Sequence, residues 1–220
     1  MLDPDDPSVW FNYAVPVADV RHASAVLPAV QSAFHQRHRR MRFEWTQELW
    51  HDLLPMLLDF GLKQDQTNAQ MVCTPASFTP VASPDVQVRL VQPDDDLRAY
   101  RELTKSGFGS TMPVLDSDIQ SLHADLASGW RYALATIADQ SVGVGGYLAL
   151  DGMTELVAVA THPAYRRRGV ATTLTSFLVH DHFSNGGHLA YLFASDAIAQ
   201  STYAKIGFSH VATRLTATEE

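Results

Sequence analysis

Two short clusters in the C-terminal half of this chain have residue types and spacings suited to chemistry. The first is Arg166-Arg167-Arg168-Gly169-Val170-Ala171-Thr172, which follows the apolar run 156–161 and the turn residues His162-Pro163. A continuous apolar run reads as a strand covered on both faces. Behind the cluster, Val170, Leu174, Phe177 and Leu178 recur at helical spacing, and Asn185-Gly186-Gly187 ends that helix, with His180 and His182 near its negative end. The cluster thus stands where a strand turns into a helix. The first helical turn offers backbone N–H groups without intrahelical acceptors and the positive end of the macrodipole, which together attract an anion. Gly169 has no Cβ to hold a phosphate away from the main chain, and Ala171 is the next smallest choice on the same surface.

The second cluster is 195–208, Ser-Asp-Ala-Ile-Ala-Gln-Ser-Thr-Tyr-Ala-Lys-Ile-Gly-Phe. It reads as a helix capped by Ser195 or Asp196 and closed by Gly207, with Ala199 and Tyr203 one turn apart. Between the clusters and the rest of the sheet stands Glu155, at the head of the apolar strand and eleven residues before Arg166 (166 − 155 = 11). A carboxylate on an apolar strand is costly to bury without purpose, which makes Glu155 a candidate general base. The bland alternative is a glutamate at a solvent-exposed strand end, just after the Asp151-Gly152 turn.

The Arg-x-x-Gly-x-Ala run 166–171 resembles the acyl-CoA-binding motif (Gln/Arg-x-x-Gly-x-Gly/Ala) of the GNAT superfamily of N-acetyltransferases. The run 196–208 is similar to that family's Asn-x-x-Ala-x-x-x-Tyr-x-Lys-x-Gly-Phe pattern, with Asp196 in place of Asn. The likeness covers about residues 86–215. It implies a GNAT acyl-CoA N-acyltransferase fold, an α/β mixed sheet, with acetyl-CoA as co-substrate. It further implies that the amides of Arg167, Arg168, Gly169, Val170, Ala171 and Thr172 hold the pyrophosphate, helped by the arginine side chains from Arg166 onward. Asp196 and Ala199 would lie along the pantetheine arm, with the contact normally made by Asn altered at Asp196. Glutamate at the offset of Glu155 is similar to the catalytic base of the histone-acetylating branch. Tyr203 matches the tyrosine that protonates the leaving thiolate, and a backbone N–H from Val159, Ala160 or Thr161 would face the oxyanion, where the family splays two parallel strands.

Other chemistry finds little support. Gly143-Val144-Gly145-Gly146 is no dinucleotide fingerprint, because no helix follows and Leu148 stands at the third glycine position; it reads as a bulge. His180 and His182, two apart on a helix, face different ways, so no metal site is expected. His35 and His38, in the basic run to Arg42, read as a solvated face, and there is no Gly-x-Ser-x-Gly elbow. The competing function of a different class is a non-catalytic acyl-CoA sensor, which Asp196 and a Glu155 without a base's role would fit.

These clusters need elements to hold them. The 220 residues, 46% hydrophobic and 18% charged, suffice for one large or two small domains. A net charge of −8 argues against nucleic acid as partner. The single cysteine, Cys73, excludes an internal disulfide and reads as a small buried hydrophobe in a reducing, cytoplasmic setting. The acidic N-terminus lacks a signal-peptide core, and no apolar run is long enough to span a membrane.

Pro75, Pro80 and Pro84 mark a linker at 75–85, dividing an N-terminal α/β half, 1–74, from an acetyltransferase domain, 86–220. The half reads as strand 10–17, helix 20–38 with Val26, Val30 and Phe34 inward, strand 41–45, a helix capped by Thr46 carrying Trp50, Leu53, Leu54, Leu57 and Leu58, and strand 68–73. It suggests a degenerate GNAT-like unit or an unrelated α/β extension. Its apolar stripes must be covered by the second domain or by a second copy of the chain, so a homodimer is one expected arrangement. The domain reads as strand 86–91, a helix with Pro93 in its first turn, a loop at 106–116, a helix to Ser128, and hairpins across Asp139-Gln140 and Asp151-Gly152. The acceptor, a small-molecule or peptide amine, is set by the loop 106–116 and the N-terminal half.

Overall fold

The structure, a computed structural model, describes residues 2, 9, 12–18, 20 and 23–220. Those residues form eight strands and six α-helices, an α/β composition with a mixed sheet. The chain divides into two compact units, Met1–Gln70 with Phe193–Asp196 and Val211–Glu220, and Met71–Leu192 with Ala197–His210.

In the first unit, helix α1 (Ala23–His35) and helix α2 (Leu53–Phe60) accompany strands β1 (Arg42–Thr46), β2 (Lys63–Cys73) and β8 (Ser209–Thr218). Strand β8 lies between β1 and β2, and its pairing with β1 is antiparallel, Phe43 opposite Ala217 and Trp45 opposite Leu215. Alternation sorts the two faces. Phe43, Trp45, Leu215 and Ala217 join Leu27, Phe34, Leu53 and Leu57 in one core, while Arg42, Glu44, Arg214, Thr216 and Thr218 carry the other face. There Arg42, almost wholly buried, bonds Glu44 (3.2 Å), Asp65 and Thr218 (3.0 Å), and Glu44 receives Arg214 at 3.3 Å.

Several sequence expectations shift here. The inward residue of α1 is Leu27, not Val26, which is exposed, so the apolar face is set by Leu27, Val30 and Phe34. Thr46 closes β1 rather than capping α2, whose N-cap is Asp52, because Pro55 is tolerated only in a first turn and delays the start. Strand 10–17 is replaced, over its described part, by isolated bridges from Asn12 to Leu2 and from Ala14 to Phe43; Trp10 and Phe11 lie outside the described residues.

The second unit carries the strand order β7-β6-β5-β4-β3, with β3 (Gln87–Leu90), β4 (Arg131–Ile137), β5 (Gln140–Leu150), β6 (Met153–Thr161) and β7 (Leu189–Ala194). All neighbours are antiparallel except β6 and β7. Both hairpins form, the second at the expected Asp151-Gly152, whereas the first turns at Ala138-Asp139, one residue before the expected Asp139-Gln140, because Gln140 of β5 already pairs with Ile137. Helix α3 (Leu97–Gly107) begins after its N-cap Asp96, whose side chain accepts from the Ala99 amide at 3.1 Å, so Pro93 precedes the helix rather than opening it. Helix α4 (Asp116–Ala127) follows the loop.

Helices α3 and α4 cover one sheet face, where Leu97, Tyr100, Leu103 and Leu122 pack with Tyr132, Val144 and Ala160. Helix α5 (Val170–Ser184) covers the other, its Val170, Leu174 and Leu178 closing over Gly143 and Gly145 of β5. Helix α6 (Ala197–Ala204) completes the unit.

The segment 74–85 is not a free linker. Its backbone runs along α5: the Val81 amide donates to Ser176 Oγ and the Ser83 amide to Thr173 Oγ1, each at 2.9 Å, and Phe78 meets Phe183 edge-on at 5.7 Å. The Thr79 amide also donates to the Ile206 carbonyl at 2.9 Å. Helix α5 is therefore buried around most of its girth. This explains how a stretch rich in β-branched residues, which helices disfavour, stays helical. The unit boundary correspondingly differs from the sequence one: it falls at Gln70/Met71, and 211–220 belongs with the N-terminal residues because β8 pairs with β1.

Candidate active site

The site is built where β6 leaves its parallel neighbour. Strands β6 and β7 pair only at Met153–Leu189, Thr154–Ala190 and Glu155–Tyr191, yet β6 continues to Thr161. The cause is a bulge. Ala158 adopts a left-handed φ of 54°, and the register against β5 shifts between Gly146–Val157 and Val144–Ala160. The irregularity foreseen at Gly143–Gly146 thus lies opposite β6, whose own Ala158 absorbs it. Beyond Glu155 the β7-facing edge of β6 is left without the partner strand that would otherwise take its N–H and C=O groups.

Glu155 is half-buried, opposite Leu148 of β5 and Tyr191 of β7. Val159 is half-buried and Ala160 buried. Thr161, opposite Gly143, ends the strand with a buried Oγ1 that has no hydrogen-bond partner among the described residues. An orphaned hydroxyl at the mouth of a parted strand pair fits a site that takes a polar ligand.

From Thr161 the chain passes through a 3-10 turn, Pro163–Tyr165, into α5. The turn is braced by the His162 ring, whose Nδ1 accepts from the Ala164 amide at 3.3 Å, and by the Tyr165 hydroxyl, which donates to Gln140. The three arginines do different things. Arg166 donates to the Gly107 carbonyl at 2.9 Å, Arg167 takes a left-handed φ of 63° and is exposed, and Arg168 lies 5.3 Å above the Tyr165 ring. Gly169 is the N-cap at φ 78°, and the first intrahelical bond runs from the Thr173 amide to its carbonyl at 2.9 Å. The amides of Val170, Ala171 and Thr172 precede that bond and have no acceptor within the helix.

The need for glycine at 169 has a cause that sequence reasoning missed. A Cβ there would collide with Ser83 Oγ, which the segment 74–85 holds over the residue, and the left-handed backbone is itself unfavourable for any other residue. No motif marks Ser83; only its seat on Thr173 reveals it.

Tyr203 is half-buried on α6, its ring edge-on to Phe208 at 6.1 Å, and Ala199 is half-buried one turn before it. Asp196, exposed, immediately precedes the helix. Of the histidines, His180 is exposed and His182 buried, its ring against Tyr147 and its pKa lowered by burial. Among the described residues no group of three or more metal-ligating side chains gathers, and no helix is long and apolar enough to cross a membrane. Cys73 is buried, which pushes its thiol pKa up, as expected of a structural residue rather than a nucleophile.

A strand parted from its parallel neighbour by a bulge, running into a helix through Arg-x-x-Gly-x-Ala, places this chain among known proteins. Residues 97–208 match the Acetyltransferase (GNAT) family. The chain belongs to the GNAT family. Its fold is similar to that of a GCN5-related N-acetyltransferase from Kribbella flavida (TM-score 0.79, 19% identity, 98% of this chain and 84% of that one). It is also similar to one from Sphaerobacter thermophilus (TM-score 0.72, 17% identity, 91% and 69%). A third likeness is to a tandem GNAT protein from the clavulanic acid biosynthesis pathway (TM-score 0.63, 11% identity, 94% and 75%). No curated protein matches the chain. As a GNAT member it has the fold of an acyltransferase, and the α/β mixed sheet expected from the sequence is the one observed.

Proposed function

We propose that this GNAT protein transfers an acetyl group from acetyl-CoA to a primary amine, on a small molecule or a peptide, by direct attack. The observation that carries this reading is the parting of β6 from β7 after Glu155, on the strand that leads into the amino end of α5. In this reading the amides of residues 167–172 hold the pyrophosphate, and the pantetheine arm lies along Val159, Ala160 and Thr161, flanked by Asp196, Ala199 and Tyr203. Glu155 takes a proton from the attacking amine. The amine nitrogen bonds to the thioester carbonyl carbon, a backbone N–H of β6 steadies the oxyanion, the C–S bond breaks, and Tyr203 protonates the sulfur. The partner is an amine substrate rather than nucleic acid or membrane, and the setting is cytoplasmic. In this reading the N-terminal half, whose stripe residues Leu53 and Leu57 are buried in its own core, is a degenerate GNAT-like unit.

The test is thermal unfolding with acetyl-CoA, followed by release of free CoA in the presence of a panel of amines. Binding at a hundredfold excess over Kd contributes about 2.7 kcal/mol, which raises Tm by several degrees. Ala171→Glu, which sets a carboxylate on the first turn of α5, should abolish that rise. It is a cleaner probe than a change at Gly169, where any side chain also meets Ser83. No rise in the wild-type protein would sink the reading, and a rise without CoA release from any amine would turn it to a sensor.

A further inference from the structure

Arg166 stands in the acyl-CoA motif, yet its side chain reaches back to another element. Its Nη2 donates to the carbonyl of Gly107, the last residue of α3, at 2.9 Å. A helix C-terminus collects partial negative charge and carbonyls without acceptor duty, so a guanidinium is well matched to it. Gly107 is itself seated on β6: a Cβ there would come within 2.6 Å of the Ala160 Cβ. The end of α3 is thus held from two sides, by β6 and by the turn that leads to α5.

The segment it releases, 108–115, is fastened elsewhere. The Phe108, Gly109 and Ser110 amides bond back to Thr104, Ser106 and Lys105 (3.3, 3.1 and 2.9 Å), Lys105 Nζ holds the Pro113 carbonyl at 2.7 Å, and Arg98 holds that of Val114 at 2.9 Å. Between these ties Phe108 and Met112 are exposed, and the loop borders an open cleft of about 360 Å3 with Glu102 in its lining. Near α3 the loop starts from the residue that Arg166 bonds, and at its far end it is tied by Lys105 and Arg98.

We propose that Arg166 is a positioning residue that ties occupancy of the α5 amino end to the order of the loop 108–115. The inference rests on the acyl-CoA reading above. A guanidinium carries five donors on two edges, enough to keep Gly107 with one edge and turn the other to an arriving phosphate. Bound acyl-CoA then clamps α3's end and stiffens the loop that faces the acceptor.

Hydrogen exchange on the full chain, with and without saturating acetyl-CoA, tests this without knowledge of the acceptor. In the wild-type protein acetyl-CoA should slow exchange at the amides of Phe108, Gly109 and Ser110 about tenfold. In Arg166→Gln the same amides should exchange severalfold faster before any ligand is added. Once acetyl-CoA saturates the variant, as its own Tm rise reports, they should gain no further protection. Arg166→Lys, which keeps the charge without the two-edged fork, should bind acetyl-CoA and likewise gain no further protection at these amides, and wild-type protection in it would overturn the proposal. The proposal is overturned if the glutamine variant exchanges like wild type when free, or becomes equally protected when loaded. It also falls if the wild-type loop ignores a ligand that raises Tm. A wild-type Tm that acetyl-CoA does not move brings down the acyl-CoA reading itself, a separate and recognisable result.

Discussion

In the proposed reaction Glu155 is the base and Tyr203 the acid, and each makes a separable claim. Glu155 sits half-buried at the last paired position of β6 and β7. Glu155→Gln should keep acetyl-CoA binding and lose most turnover near pH 7. Activity should recover in part at alkaline pH, where the acceptor amine is itself neutral, because alkali can replace a missing base but cannot repair a broken fold. Wild-type activity at pH 7 in this variant would place the base elsewhere. Tyr203→Phe keeps the ring that packs on Phe208 and removes only the hydroxyl. Its kcat should fall on the order of a hundredfold while the Kd for acetyl-CoA changes little, so steady-state kinetics set beside calorimetric binding would expose a merely structural tyrosine. Both positions are proposed from the sequence, because motif spacing names residue types. The roles of the arginines were not legible there, since Arg166 reaches an element 59 residues away.

Helix α5 joins the candidate site to the core, and one ion pair on it bears on the acid limb of stability. Asp181 on α5 receives Arg131 of β4 through two bonds, 2.5 and 2.7 Å, and the Tyr147 hydroxyl at 2.6 Å. Burial pushes its pKa up, but the bonds from Arg131 and Tyr147 and the Arg131 charge outweigh that and hold it below the ordinary carboxylate value. A depressed folded-state pKa means that the contribution to stability is present above the unfolded value near 3.9 and is lost as pH falls through the folded one. Acid unfolding below about pH 4 should therefore be less steep in Asp181→Asn than in the wild type. Arg131→Met, which leaves the carboxylate without its cation, should cost about 1–3 kcal/mol at pH 7, read from urea midpoints at both pH values. An unchanged acid limb in Asp181→Asn would mean that other carboxylates, such as Asp65 or Asp118, dominate it.

At the scale of the whole molecule, we propose that the N-terminal residues are integral to the fold. Strand β8 is antiparallel to β1, and its Leu215 and Ala217 share a core with Phe43, Trp45, Leu53 and Leu57. A fragment beginning at residue 86 would leave those two without that core. It would also remove the backbone donors at Val81 and Ser83 that cover Ser176 and Thr173 of α5. Such a fragment should bind a hydrophobic dye and lose near-ultraviolet dichroism, or aggregate, where the full chain does neither. A soluble, fully active fragment would show that the acetyltransferase domain stands alone.

What the sequence by itself determined is local. The turn at Asp151-Gly152, the extended conformation of β6 and the helix opening at Gly169 follow from propensities and periodicities within a few residues, although of 156–161 only Leu156 and Ala160 are buried. The motif that identifies the GNAT family lies in the same short stretch. Tertiary structure decided whatever depends on contacts distant in sequence. The bulge that puts Ala158 at positive φ is a matter of register against β5, invisible in a run of alanines and valines. The apparent linker became a strap on α5 because two helix hydroxyls accept its amides, and Ser83 thereby set the size limit at Gly169. The C-terminal strand joined the first unit because pairing with β1 depends on where a strand edge is free. Hydrogen-bond partners and faces are assigned only when the chain closes on itself, which is why residue types could be read in advance and neighbours could not.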